Sequence, residues 1–289
     1  MDDPVSPAGS PYQSDRKYNN GRPATPLAGR FFVVWASRLK VIPLSLGRQT
    51  VADLSWASLR VPRCVMTARI AIPRCLAARA ALPAPRPPWT TLFLKAFATV
   101  SITQPALRRV HATLPSPRLI EAEQAIGCII LERADDTGLG FARITEPHHR
   151  PLPELAALLH QAKAAPAPEE KRFGRIQRFA RLPWPLRRLL LRLGLALGAP
   201  LLRYGGTFAI STVGEHGAGI VDSVSILPCF LTYGPIGADG AVEVYLAFDH
   251  RVMDGADGAA ALAALQSTLE GAITAELTAL APTNRAGSE

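Results

Sequence analysis

Asp249-His250-Arg251-Val252-Met253-Asp254-Gly255 sets one imidazole among two carboxylates and a guanidinium within seven residues. Histidine is the side chain whose ordinary pKa suits proton transfer near neutral pH. An aspartate four positions on, Asp254, can fix the local geometry through a salt bridge or hydrogen bonds, and Gly255 allows a turn. A histidine close to an aspartate is also a common surface or core feature, so the spacing alone does not define a site. A second stretch adds a group of complementary chemistry. Ser211, in Gly206-Thr207-Phe208-Ala209-Ile210-Ser211-Thr212-Val213-Gly214, offers a hydroxyl that could donate to developing negative charge. Taken by itself, a strand serine bonded to backbone reads equally well.

The flanking patterns say which elements must carry these groups. Val242–Phe248 alternates as a strand and runs into the histidine, and an Ala/Leu-rich helix over Gly258–Leu280 follows it. A polar cluster at such a strand end is held by a rigid element and exposed by a turn. Asp239-Gly240 signals a hairpin between Val242–Phe248 and a strand at Pro228–Tyr233. Further strands are expected at Cys64–Ile72, Leu119–Ile120, Ile126–Glu132, Gly138–Ile144 and Thr207–Val213, and helices at Thr50–Leu59, Trp89–Ser101 and Pro153–Ala165. Threonines near Trp89 are candidate caps for that helix. Phe31–Trp35 reads as a short strand or a helix start. The mixture predicts an α+β fold with a mixed sheet.

The His250 stretch resembles the signature of the catalytic core of the 2-oxoacid dehydrogenase acyltransferases (the dihydrolipoyl acyltransferases). Its shorter His-x-x-x-Asp-Gly pattern is shared with chloramphenicol acetyltransferases. The Ser211 stretch resembles the Gly-Thr-Phe-Thr-Ile-Ser-Asn-Leu-Gly segment of the same family, and the likeness spans roughly residues 40 to 275. The resemblance implies a chloramphenicol acetyltransferase-like two-layer fold and a homotrimer with active sites between subunits, the serine and histidine coming from neighbouring chains. It implies His250 as general base, its inner ring nitrogen tied to its own backbone carbonyl, and Ser211 as oxyanion donor, with Arg251 and Gly255 in support. It further implies an ion pair from Arg48 to Asp254 and a water held by Thr232. The donor would be a thioester of coenzyme A or an acyl carrier protein, used as co-substrate with no bound cofactor. The acceptor would be a hydroxyl, amine or thiol.

The sequence departs from the family in places. Thr212 replaces an asparagine, Pro62-Arg63 replaces Pro-His, and Pro105-Ala106-Leu107-Arg108 replaces Pro-Glu-Leu-Asn. No lipoyl segment with Asp-Lys-Ala is present, so a stand-alone enzyme is expected rather than a lipoyl-using complex subunit. A non-catalytic trimeric scaffold is the reading from outside enzymology.

The chain has 289 residues and a formal net charge of +9. The basic surplus fits the phosphates of coenzyme A, an acidic carrier, a membrane surface or nucleic acid. The absence of zinc-finger spacing, a basic heptad pattern or an aromatic RNA-binding signature sets nucleic acid aside. The four cysteines form no Cys-x-x-Cys pair, so no metal site is expected. The acidic start is no signal peptide and no apolar run is long enough to span a bilayer, which implies a cytoplasmic protein. Residues 1–28 and 283–289 are polar and aperiodic and read as disordered tails around a catalytic domain at 29–282. Within it, Lys171–Tyr204 alternates arginines with leucines. Such a segment suits a helix resting peripherally on the inner face of a membrane, or one packed on the domain or a sister subunit.

Overall fold

The computed structural model describes residues 40–132, 139–164, 178–211 and 217–281. The tails, Phe31–Trp35 and residues 171–177 of the basic segment lie outside these. The compact unit that holds all the elements below spans Leu44–Glu289.

In chain order these are α1 (Leu46–Ser58), β1 (Arg63–Ala71), α2 (Pro73–Ala80), α3 (Trp89–Thr103), β2 (Arg109–Ala112), β3 (Arg118–Glu121), β4 (Ile126–Glu132) and β5 (Leu139–Thr145). Then come α4 (Leu152–Ala164), α5 (Trp184–Leu197), β6 (Phe208–Ser211), β7 (Cys229–Tyr233), β8 (Ala241–Asp249), α6 (Gly255–Thr268) and α7 (Thr274–Leu280). A six-stranded mixed sheet runs β1-β8-β7-β6-β4-β5, and β2 pairs with β3 separately. β6 is parallel to both of its neighbours, and the other pairs are antiparallel.

Period-two alternation builds the sheet's two faces. Val242, Val244, Leu246 and Phe248 of β8 and Ile70 of β1 point into the main core with Phe93 and Phe97 of α3 and Leu262 and Leu265 of α6. There Phe93 stacks on Tyr233 at 4.0 Å and Phe97 meets Phe208 edge-on at 4.9 Å. The opposite face carries a smaller apolar group, Cys128, Ala209, Phe230 and Ala247. Ser211 and Thr232 share the strand parity of Ala209 and Phe230, so they belong to this second face.

The anticipated strands and long helices are present, most within one or two residues. The helix at Trp89 begins behind Pro88 with no side-chain cap, and Thr91 donates instead to the Pro88 carbonyl at 2.7 Å, so the threonines are not its caps. α2 and β2 were not anticipated. α2 starts at a proline and is short, and β2 has four residues with only Val110 and Ala112 buried. The terminal helix holds one π turn, Leu269–Ile273, between α6 and α7. Glu276 of α7 bonds Lys95 of α3 at 2.5 Å and the Leu152 amide of α4 at 2.8 Å, which locks three helices over the sheet.

Candidate active site

β8 delivers His250. Its last residue, Asp249, pairs with Arg63 at the start of β1, and the next amide, His250 N, donates to the Pro62 carbonyl at 2.9 Å. The turn beyond is built by Asp249, whose carboxylate is 3% exposed. It accepts from the Arg251 amide at 3.0 Å and from the Arg251 guanidinium at 2.9 and 2.7 Å. A carboxylate satisfied by three donors is fixed, and the turn is fixed with it. This role for Asp249 did not emerge from the sequence. The available signal was a charged pair two residues apart at a strand end that runs into the core.

The imidazole is half exposed, with Nδ1 3.2 Å from the Met253 carbonyl. A carbonyl only accepts, so in the neutral ring Nδ1 bears the proton and Nε2 keeps its lone pair. That is the tautomer a general base needs. The partner is the carbonyl three residues on, not histidine's own, but the consequence for Nε2 is the same.

Asp254 Oδ1 stands 3.5 Å from the same Nδ1 and its side chain is 82% exposed. Asp254 caps α6, its amide held by the Asp257 carboxylate at 3.0 Å, so the helix start fixes its position. The ion pair expected between Arg48 and Asp254 is not made. Arg48 lies exposed in the first turn of α1, where its amide is capped by the Ser45 hydroxyl at 3.3 Å. The backbone at Gly255 has no positive φ and a Cβ there would meet open space, so the turn does not require glycine. Thr232 is 1% exposed and donates to the Ile220 carbonyl at 2.5 Å, which commits its hydroxyl proton to backbone.

Ser211 ends β6. Gly206 enters the strand at φ +127°, where a Cβ would lie 2.8 Å from the Ile126 carbonyl oxygen, so glycine is needed there. Thr207 then clips β6 to β4 through bonds of 2.9 and 3.1 Å to Ile126. Register separates Ser211 from His250 within one chain. Ser211 pairs with Thr232, and Thr232 with Tyr245, five residues short of His250. At ordinary strand dimensions the two are offset by about 17 Å along the strands and about 10 Å across them. One thioester carbonyl cannot reach both.

An α+β chain with this strand order, and a histidine turn leading from β8 into α6, has the fold of the dihydrolipoamide acetyltransferase catalytic cores. A dihydrolipoamide acetyltransferase of Azotobacter vinelandii, studied for a serine, a histidine and an asparagine in its catalytic mechanism, is similar at a TM-score of 0.62 and 21% identity over 89% of this chain and 99% of that one. A probable dihydrolipoamide acetyltransferase of Listeria monocytogenes is similar at 0.59 and 18% identity, over 86% of this chain and 99% of that one. The cubic core of a pyruvate dehydrogenase multienzyme complex is similar at 0.60 and 21% identity, over 89% and 99%. No protein-family model matches the sequence, and no curated protein does.

Proposed function

We propose that the chain is an acyltransferase that moves an acyl group from a thioester of coenzyme A or an acyl carrier to a hydroxyl, amine or thiol. The observation that carries this is the His250 ring, held through Nδ1 by the Met253 carbonyl with Nε2 unpartnered among the described residues, at the end of a strand in a dihydrolipoamide acetyltransferase fold. The Azotobacter protein's mechanistic histidine and asparagine are four residues apart, the spacing of His250 and Asp254 here.

In this reading Nε2 takes the proton from the acceptor as its heteroatom attacks the thioester carbonyl. The tetrahedral oxyanion is stabilised by the Ser211 hydroxyl of a neighbouring copy, because the chain's own Ser211 is out of reach. Collapse breaks the carbon–sulfur bond, and the imidazolium returns its proton to the leaving thiolate. The active unit is then an oligomer, a trimer in the simplest arrangement, with a site at each subunit contact.

The similarity to a pyruvate dehydrogenase core supports one second reading, in which a dihydrolipoyl thiol is the acceptor. The test is release of free thiol from a panel of acyl-coenzyme A and acyl-carrier donors, with alcohols, amines and dihydrolipoamide as acceptors. Acceptor-dependent release that disappears in His250→Ala is expected. No release with any pair overturns the enzyme reading in favour of a scaffold.

A further inference from the structure

α5 is built inside out. Leu186, Leu189, Leu190, Leu193 and Leu197 follow helical spacing along one face, and each is 40–52% exposed. The residue turned into the protein is Arg187, 6% exposed, which bonds Asp53 of α1 at 2.5 Å and the Ala180 and Leu182 carbonyls at 3.0 and 2.7 Å. Arg188 reaches the same aspartate at 3.4 Å and lies over the rings of Trp56 and Trp184. The remaining inward surface packs on the β2–β3 pair, where Gly198 approaches Val110 and Ala112 and the Ala196 carbonyl accepts from Thr113 and Leu114. The helix is therefore anchored through Arg187, its backbone and Leu195, which packs on Val110, Leu201 and Leu202, while five of its leucines are displayed. Five half-exposed leucines on one helix face form a patch of the kind that marks an interaction surface.

The chemistry around the patch selects what covers it. Residues 178–211 contain six arginines and no aspartate or glutamate. Arg187 and Arg188 share Asp53, while Arg181, Arg192 and Arg203 stand exposed in the same segment. Trp184, 61% exposed, and Tyr204, 64% exposed, mark the two ends of the segment. Leucines on one face, arginines on the flank and amphipathic rings at the ends are what a helix lying in a bilayer interface needs. A second copy docked on the same stripe would bring like-charged flanks together with no carboxylate from this segment to offset them. Among the described residues no helix is long and apolar enough to cross a membrane, so contact would be made along the surface.

We propose that α5 binds the surface of an anionic lipid bilayer, inserting the Leu186–Leu197 face with Arg181, Arg192 and Arg203 at the phosphates. This goes beyond the acyl-transfer reading and is tested without it. The full chain is sedimented with phosphatidylcholine vesicles with and without phosphatidylglycerol. Binding to the anionic vesicles that weakens with salt is expected, and Trp184 fluorescence shifts blue on binding and is lost in Trp184→Phe. Leu189→Ser/Leu193→Ser lowers vesicle affinity by about tenfold or more, with circular dichroism and elution volume unchanged. Should that variant fold poorly, quenching of Trp184 by brominated lipid reads insertion in the unaltered chain. Absence of wild-type binding, or binding indifferent to the leucines, overturns the proposal. So does leucine-dependent self-association that excludes vesicles, which would assign the face to a second copy.

Discussion

Nδ1 of His250 can bond the Met253 carbonyl only while it carries a proton, so one hydrogen bond of 3.2 Å decides which nitrogen is the base. His250→Ala removes the proposed base, and turnover should fall by about 10²–10⁴, with the circular dichroism spectrum unchanged because the ring is half exposed. Ser211→Ala deletes the proposed oxyanion donor and should lower kcat by about 10²–10³ with little change in KM. Steady-state thiol release separates the two, since a serine serving only the strand would leave kcat in place. Both residues were singled out in the sequence because each is embedded in a motif. Their supports were less so. The Arg48–Asp254 pair did not form, and the rigidity of the turn comes from Asp249 and Arg251, whose bidentate contact depends on burying a strand-end carboxylate. Burial of that kind belongs to packing and leaves little trace in residue spacing.

Strands β1, β4 and β8 were readable because alternation and branched residues define a half-buried strand locally. The separation of β2–β3 from the main sheet was not, since strand order is a choice among long-range partners. The same holds for α5, whose Arg187 turned inward because Asp53 sits 134 residues upstream in α1. Asp53 is 4% exposed at its side chain and is the acceptor for a guanidinium 7% exposed. Desolvating both ions is costly, and removing one leaves the other buried and uncompensated. Asp53→Ala should therefore destabilise the chain by about 3–5 kcal/mol in urea unfolding. Asp53→Leu/Arg187→Met should recover most of that loss, because it removes both charges together. A change below about 1 kcal/mol for Asp53→Ala would mean that α1 and α5 are held by their apolar contacts alone.

At the scale of the whole molecule, three buried thiols make folding sensitive to alkali. Burial pushes Cys128 and Cys229 up to about 12 and Cys75 up to about 11 from the ordinary 9.0. Above pH 9 the unfolded chain releases these protons while the folded chain keeps them, so stability present below pH 9 is lost as pH rises towards 12. Each thiol contributes about 1.4 kcal/mol per pH unit, and Cys128→Ala/Cys229→Ala should remove about 2.7 kcal/mol per unit of the slope in urea midpoints above pH 9. The same burial keeps these thiols silent towards disulfide reagents at neutral pH, which leaves thiol release by the proposed reaction measurable. Assembly is the larger question at this scale, because register places Ser211 and His250 too far apart for one chain to use both. Their separation can be tested by mixing two inactive forms. A Ser211→Ala copy still offers His250, and a His250→Ala copy still offers Ser211. In a closed ring every site takes its histidine from one copy and its serine from the next. Random co-assembly at equal amounts then pairs an intact histidine with an intact serine at roughly one site in four. Variants refolded together should regain about a quarter of wild-type turnover, while each refolded alone stays inactive. Recovery should rise and fall with subunit exchange, and it should be absent when the two are mixed as preformed assemblies that do not exchange. If co-refolded mixtures gain nothing while wild-type chain treated alike recovers, the two residues do not meet across a subunit contact, and the oxyanion donor must be sought near His250 in its own chain.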